Sequence, residues 1–264
     1  MKVRLMSKRI VKGRKRFVVV AIFMAVMLTA STTAMAGRRV LFIGDSVTDG
    51  GWGRSGGLMK PAAERNQKDL NHIYGHSYMM LCAAHFECLY PEEGLAFVNR
   101  GISGDDLSRL EARWQEDAAD LHPDVLSLLV GTNDVSYHLE KHADERFDVG
   151  AWEQRYRHLL DVVRAVNPDV RFMLGTPFAA RVGKIGNAAD YAERQRLLGE
   201  LTEAICRIAR DYGAVLLRYD ELFAAQEQAH PTVPASHWIW DGIHPTAAGH
   251  RLMADLWIAK YSDL

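Results

Sequence analysis

The chain has 264 residues, of which 48% are hydrophobic and 25% are charged, and its formal net charge is −1. The first 36 residues hold eight of the 32 Lys and Arg residues and none of the 33 acidic ones, which leaves 24 basic residues against 33 acidic residues, a net charge of −9, in the remainder. That balance disfavours a nucleic-acid partner, because such binding depends on basic side chains that neutralise phosphates. The remaining length is enough for one domain with a sizeable core.

The first 36 residues have the pattern of a secretory signal peptide. Basic residues are spread over positions 1–16, an apolar run follows from Phe17 to Leu28, and Ala34-Met35-Ala36 ends the segment. This order predicts cleavage after Ala36 and a secreted or periplasmic protein. The apolar run is shorter than the roughly 20 residues that cross a bilayer. We therefore expect no stable membrane anchor after cleavage, with an uncleaved anchor as the alternative, and a single domain over residues 37–264.

From residue 40 onward, short apolar runs alternate with segments of helical periodicity. The apolar runs predict buried strands over Val40–Ile43, Leu95–Val98, Val125–Val130, Arg171–Gly175 and Ala214–Leu217. The helical patterns cover Tyr74–Glu87, Asp105–Asp117, Trp152–Val166, Ala188–Tyr212 and Asp220–Gln228, and a last helix with Pro245 in its first turn. This alternation predicts an α/β fold, a flavodoxin-like three-layer sandwich whose five-stranded parallel sheet has the order 2-1-3-4-5 and helices on both faces.

Polar clusters follow the first three predicted strands. Gly44-Asp45-Ser46 comes after strand 1, Gly104 after strand 2 and Gly131-Thr132-Asn133-Asp134 after strand 3. Taken alone, Asp45 and Ser46 equally fit a turn or a helix cap. In the predicted strand order, however, the three strand ends are neighbours, and ligands of open α/β sheets bind at the carboxyl ends of the strands. We therefore expect Ser46, Gly104 and Asn133 around one crevice.

A fourth cluster precedes the last predicted helix. Asp241 and His244 are three residues apart, a spacing at which one turn can bring the carboxylate to the imidazole Nδ1–H. That bond would fix the tautomer and leave Nε2 free to act as a base. By itself the pair is weak evidence, because an aspartate can cap a helix and a histidine can pack in a core.

The four clusters together, in this order, resemble the SGNH hydrolase family, which comprises the GDSL esterases and lipases. The resemblance extends from about residue 39 to residue 260, and Val47 stands where the family name has Leu. The opening from Phe42 to Trp52 also resembles the secreted carbohydrate-esterase branch of the family. The order Ser, Asp, His occurs in α/β-hydrolases too, but their G-x-S-x-G motif is not matched, because Thr48 replaces its second glycine.

The resemblance implies a serine esterase that works through an acyl-enzyme. Ser46 would be the nucleophile, His244 its general base, and Asp241 the residue that orients the imidazole. The oxyanion hole would consist of the Ser46 N–H, the Gly104 N–H and the Asn133 side-chain amide.

The expected substrate is a small-molecule or polysaccharide ester carrying a small acyl group, with acetyl on carbohydrate preferred. Trp52, Trp238 and Trp240 flank the site clusters and could stack on sugar rings, although packing in the core or at the rim is an equal alternative. A lipid or lysophospholipid acyl hydrolase is the competing enzyme, and a carbohydrate-binding module on a hydrolase scaffold is the alternative without catalysis.

Neither a metal nor a cofactor is expected. The sequence contains G-x-G-x-x-G at Gly51, Gly53 and Gly56, but this motif is displaced from the strand end at which a dinucleotide fingerprint begins. His72 and His76 are four apart, yet Gly75 lies between them and no third ligand is evident. A flavodoxin-like cofactor binder is the remaining alternative, and an absorption spectrum would reveal its flavin.

Overall fold

A five-stranded parallel sheet forms the centre of the domain over residues 37–264, as the sequence pattern predicts. The structure, a computed structural model, describes residues 37–264; the predicted signal peptide lies outside the described residues. The strands are β1 (Arg39–Gly44), β2 (Ala96–Gly101), β3 (Val125–Leu129), β4 (Arg171–Gly175) and β5 (Val215–Leu217). All neighbouring strands are parallel and their order is β2-β1-β3-β4-β5, which confirms the predicted arrangement.

Helices cover both faces of this sheet. Their bounds are α1 (Ser46–Asp49), α2 (Tyr78–Leu89), α3 (Leu107–Asp117), α4 (Thr132–Lys141), α5 (Val149–Val166), α6 (Gly183–Gly186), α7 (Tyr191–Tyr212), α8 (Tyr219–Ala229) and α9 (Ala247–Tyr261). Residues of α3, α4, α5 and α7 pack on one face, and residues of α2, α8 and α9 pack on the other. Within residues 37–264, no helix has the length and apolar character needed to cross a membrane.

The two faces have separate cores because successive side chains of a strand point in opposite directions. In β1, Leu41 and Ile43 contribute to the core under α3, α5 and α7. Phe42 lies on the opposite face, where its ring centre is 4.9 Å from that of Trp257 in α9. The Trp257 side chain is fully buried, and its indole N–H donates to the Ser127 hydroxyl of β3 at 3.0 Å. Trp257 therefore attaches the last helix to the middle of the sheet.

Most element bounds differ from the sequence-based expectation by a few residues, and two differences change which residues are helical. The last helix begins at Ala247 rather than at Pro245, because the Thr246 hydroxyl accepts the Gly249 N–H and caps the helix. Pro245 instead forms an isolated bridge with Ile239, so its placement in the first helical turn was wrong. The polar segment after β3 is also a helix, α4, which the short polar sequence had not indicated.

We predict that Trp257→Ala lowers the free energy of unfolding by about 3–5 kcal/mol, because it empties a fully buried site and removes the indole N–H that donates to the Ser127 hydroxyl. The matched control is Trp240→Ala, since the Trp240 side chain is 61% exposed; its effect should lie within about 0.5 kcal/mol. Urea denaturation of both variants measures the difference. Equal losses in the two would contradict this description of the core.

Candidate active site

Ser46 lies where β1 ends and the short helix α1 begins. The chain turns at Gly44, where a Cβ would lie 2.2 Å from the Leu129 carbonyl oxygen, so only glycine fits. Asp45 then caps α1, its carboxylate accepting the Val47 N–H at 2.9 Å. As the first residue of the helix, Ser46 has a backbone N–H without an acceptor inside the helix. Sequence and sterics thus direct both a hydroxyl and a free N–H to the carboxyl edge of the sheet.

The loop between α8 and α9 brings Asp241 and His244 to the same place. The Trp240 N–H donates to the His244 carbonyl at 3.0 Å and closes the loop. Within it, the first carboxylate oxygen of Asp241 accepts the N–H groups of Ile243 at 3.0 Å and His244 at 2.8 Å. These bonds fix the carboxylate directly beside the imidazole.

A continuous chain of hydrogen bonds joins the three residues that sequence reasoning selected. The Ser46 Oγ lies 2.8 Å from His244 Nε2, and His244 Nδ1 lies 2.7 Å from Asp241 Oδ2. A proton on Nδ1 leaves Nε2 as an acceptor for the serine hydroxyl. Hydrogen bonds from a hydroxyl to an imidazole and from that imidazole to a carboxylate can activate the hydroxyl as a nucleophile.

Asp241 remains ionised beside the histidine. Partial burial by itself raises the pKa of its carboxyl group, but the N–H and imidazole hydrogen bonds of His244 and the Ile243 N–H together outweigh burial and hold that pKa below its ordinary value. The carboxylate can therefore stabilise an imidazolium that forms when His244 takes a proton.

Gly104 and Asn133, which follow β2 and β3, line the same cavity as Ser46. Gly104 has φ +85°, and its carbonyl oxygen is held by the Tyr137 hydroxyl at 2.9 Å and by Arg109 Nη1 at 2.7 Å. This fixes the loop that carries the Gly104 N–H. One N–H of the Asn133 amide donates to the Asp105 carbonyl at 2.9 Å, which leaves the second N–H of the amide for a ligand. The structure thus places Ser46, Gly104 and Asn133 around one cavity.

That cavity is open and has a volume of about 780 Å³. Besides the residues already described, its walls include Met59, His76, Trp240 and His250. No Asp, Glu, Lys or Arg of the described chain lines it. A slightly larger surface cavity of about 890 Å³, beside the start of α5 and the middle of α7, contains none of the predicted site residues.

The three tryptophans have different positions. Trp52 is 1% exposed, and its indole N–H donates to the Gly101 carbonyl at 2.8 Å; the expectation that it stacks on a ligand was wrong, because the glycine-rich loop turns the ring inward. Trp238 is half-buried against the core and lies outside the cavity lining. Trp240 lines the cavity, with its ring stacked 6.4 Å from that of His244.

His250 is a site residue that sequence reasoning missed. Its Nδ1 accepts the Tyr78 N–H at 3.2 Å, so the proton of the neutral ring is on Nε2. Burial, together with the nearby His76 and His244, lowers the pKa of His250 to about 4. The ring is thus a neutral donor at neutral pH. A single histidine on α9 gave no sequence signal, since the contact with Tyr78 depends on the packing of α2 against α9.

His76 was considered only as a metal ligand. Its side chain lines the cavity instead. Among residues 37–264, no group of three or more His, Cys, Asp or Glu side chains is arranged to hold a metal ion.

Comparisons with known proteins agree with this geometry. The family model described as GDSL-like lipase/acylhydrolase matches residues 42–252. An acetylxylan esterase from Geobacillus stearothermophilus is 32% identical over 222 residues, which cover 83% of this chain and 91% of the relative.

Solved structures give the same result. A GDSL-like lipase structure from Parabacteroides merdae has a TM-score of 0.70 and 27% identity, and the match covers 85% of this chain and 95% of that chain. A crystal structure of an acetylxylan esterase from Geobacillus stearothermophilus has a TM-score of 0.67 and 26% identity, with 85% and 94% covered. This chain belongs to the GDSL-like lipase/acylhydrolase family, the SGNH hydrolases, and is a carboxylic ester hydrolase.

Asp45, beside the serine, is a buried carboxyl group. Burial raises its pKa from 3.8 to about 7, although the Val47 N–H and the His244 ring oppose the shift. Because its pKa is higher in the folded than in the unfolded chain, the folded state binds more protons between about pH 4 and pH 7. The contribution of Asp45 to stability therefore decreases as the pH rises through this interval.

We predict that Asp45→Asn raises the free energy of unfolding relative to wild type. This gain should increase by on the order of 2 kcal/mol between pH 4.5 and pH 7.5. Asparagine keeps an oxygen for the Val47 N–H but never ionises. Urea denaturation at both pH values measures the effect. Asp106→Asn is the control, since Asp106 caps α3 in the same way but is only half-buried. If the difference in free energy of unfolding between Asp45→Asn and wild type does not change with pH, the ionisation of Asp45 does not affect stability and the prediction is wrong.

Proposed function

We propose that this protein is a secreted serine esterase that removes acetyl groups from carbohydrate. The observation that carries the proposal is the chain of hydrogen bonds from Ser46 through His244 to Asp241, with distances of 2.8 and 2.7 Å, at an open cavity. Secretion is proposed on the signal-like pattern of residues 1–36.

The reaction follows from this geometry in two steps. The Ser46 Oγ attacks the ester carbonyl carbon while His244 Nε2 takes its proton, and the carbonyl oxygen becomes an oxyanion. The Ser46 N–H, the Gly104 N–H and the Asn133 amide donate to this oxygen. The carbon–oxygen bond to the sugar then breaks, and His244 returns the proton to the leaving alcohol. Water, activated by His244, attacks the acetyl-enzyme in the same way and releases acetate.

The relatives support these roles. Crystal structures of the Geobacillus acetylxylan esterase include catalytic mutants at a serine, an aspartate and a histidine, and that aspartate and histidine are three positions apart. Asp241 and His244 have the same spacing here. We therefore propose Ser46, Asp241 and His244 as the catalytic residues of this chain.

The chemistry of the cavity supports a neutral, hydroxylated substrate. No charged carboxylate, ammonium or guanidinium group of the described chain lines the walls. Trp240 offers an exposed aromatic face on which a sugar ring can stack. His250 adds a neutral N–H donor of fixed tautomer, which suits a sugar hydroxyl. We propose acetylated neutral sugars, such as those of xylan, as the substrate class.

One observation favours the alternative of a lipid acyl hydrolase. Met59 is 56% exposed at the cavity wall, and its neighbour Leu58 is 60% exposed. Together they offer apolar surface to a longer acyl chain. The dependence of the rate on acyl length distinguishes the two substrates.

We predict that Ser46→Ala lowers kcat for p-nitrophenyl acetate by at least about 10³-fold, because no other hydroxyl replaces the nucleophile. Ser262→Ala, an exposed serine near the chain end, is the control and should retain full activity. Wild-type rates should decrease from acetate to butyrate to longer esters. A rate that increases with acyl length would favour the lipid substrate, and equal rates in wild type and Ser46→Ala would exclude Ser46 as the nucleophile.

We also predict that Trp240→Ala raises KM for acetylated xylo-oligosaccharides about 5- to 10-fold, since the sugar loses its stacking partner. Its effect on vinyl acetate should be less than about 2-fold, because that ester has no ring to stack on Trp240. Trp240→Phe keeps an aromatic face and should restore most of the affinity. Equal effects on both substrates would assign Trp240 to the support of His244 rather than to sugar binding.

A further inference from the structure

The Asp49 carboxylate is a buried junction between separate segments of the site. It accepts hydrogen bonds from Arg65 at 2.6 and 3.1 Å, from the N–H and hydroxyl of Ser103 at 2.8 Å each, and from the Gly51 N–H at 3.1 Å. The Ser55 hydroxyl is a further donor at 3.4 Å. Asp49 takes no direct part in the proposed reaction, so the number of hydrogen bonds to its carboxylate needs another explanation.

Arg65 supplies the opposite charge. Neither the Arg65 nor the Asp49 side chain has any exposed surface, and the guanidinium forms two parallel bonds to the carboxylate. The same guanidinium lies 4.6 Å from the centre of the buried Trp52 ring, and its Nε donates to the Lys60 carbonyl at 2.9 Å. A charge buried this deeply tolerates few positions, because separation from its partner would leave it unpaired in a medium of low polarity.

This ion pair joins the two segments from which the reaction is catalysed. Ser46 is the first residue of the short helix α1, and Asp49 is its last. Ser103, which Asp49 holds through both its N–H and its hydroxyl, directly precedes Gly104. The two segments are in close contact, since a Cβ on Gly101 would lie 2.4 Å from the Asp49 nitrogen. One carboxylate therefore sets the position of the Ser103–Gly104 peptide relative to Ser46.

We propose that Asp49 and Arg65 are positioning residues that hold the Gly104 N–H at the point where the oxyanion forms. The proposal rests on the proposed esterase function and deepens it. Arg65 does not touch the substrate and acts through Asp49 and Ser103. The ion pair fixes the Gly104 N–H in position before the reaction begins. This matters because a displacement of about 1 Å can reduce a reaction rate 10²-fold.

The test is Arg65→Lys, which retains the charge but cannot form the two parallel bonds. We expect kcat for p-nitrophenyl acetate to fall about 10- to 100-fold while KM changes less than about 2-fold, because the donor acts mainly in the transition state. Phenylboronic acid forms a tetrahedral adduct with a catalytic serine. The inhibition constant of phenylboronic acid should increase in parallel with the loss of kcat. A general loosening of substrate binding would instead raise KM.

Arg100→Lys is the matched control. The Arg100 guanidinium lies 5.2 Å from the centre of the same Trp52 ring. It forms an ion pair with Asp117 at 3.5 Å. It makes no bond to Asp49, so kcat and boronate inhibition should stay at their wild-type values. Ser103→Ala is the second variant, because it removes one bond to Asp49 while the backbone N–H and the ion pair remain. It should lower kcat several-fold with KM unchanged, and it provides the measurement if Arg65→Lys does not fold.

The outcomes separate the two proposals. Ser46-dependent activity in wild type together with unchanged kcat in a folded Arg65→Lys protein would overturn the positioning role and leave the esterase function intact. If Arg65→Lys does not fold, unchanged kcat in Ser103→Ala would do the same. An equal loss of kcat in Arg100→Lys would also overturn it, since the effect would then come from packing on Trp52. Absence of Ser46-dependent hydrolysis in wild type would overturn the esterase function and the positioning role with it.

Discussion

The site of this protein depends on the parallel pairing of β1 with both β2 and β3. In this register Gly44 lies beside Gly101 on one side and Leu129 on the other, so three loops leave the sheet at the same height. Each loop contributes a different group: the hydroxyl of Ser46, the N–H of Gly104 and the amide of Asn133. Because the strands are buried on both faces, their register is fixed by the two cores, and the relative positions of these groups follow from it.

The groups that surround the serine have different electrostatic environments. The Asp241 carboxylate is half-buried and receives hydrogen bonds that lower its pKa, whereas burial of Asp45 and Asp134 raises the pKa of the former to about 7 and of the latter to about 6. Hydrogen bonds therefore favour the ionised form of Asp241 beside His244, whereas burial favours the protonated form of Asp45 and Asp134. Asp49 is different again, because a buried guanidinium compensates it. These carboxylates therefore differ in electrostatic environment despite identical chemistry.

The tryptophans illustrate how far a local pattern can be interpreted. All three lie near site clusters in the sequence, and aromatic residues there are consistent with either a sugar platform or core packing. In the structure Trp52 is enclosed by Arg65 and Arg100, Trp238 packs against the core, and Trp240 is exposed at the cavity. The difference arises from the backbone: left-handed glycines at 51 and 53 fold the Trp52 ring inward, and the bridge between Ile239 and Pro245 holds Trp240 outside. Neither orientation can be predicted from residue type and spacing.

The sequence by itself determined the five strands and most of the longer helices, because hydrophobic periodicity is a local property. The alternation of strands and helices predicted the order of the sheet, and the resemblance to the SGNH hydrolases supplied the roles expected of Ser46, Asp241 and His244. It also indicated Gly104 and Asn133, through their position after buried strands. Only the tertiary structure decided that Arg65 compensates Asp49, that Tyr78 fixes the tautomer of His250, and that Met59 and His76 line the cavity. These contacts join residues that are distant along the chain or lie in irregular loops, where no periodicity predicts which side chain meets which. Their geometry depends on how helices and loops pack over the finished sheet, and packing is a property of the whole fold.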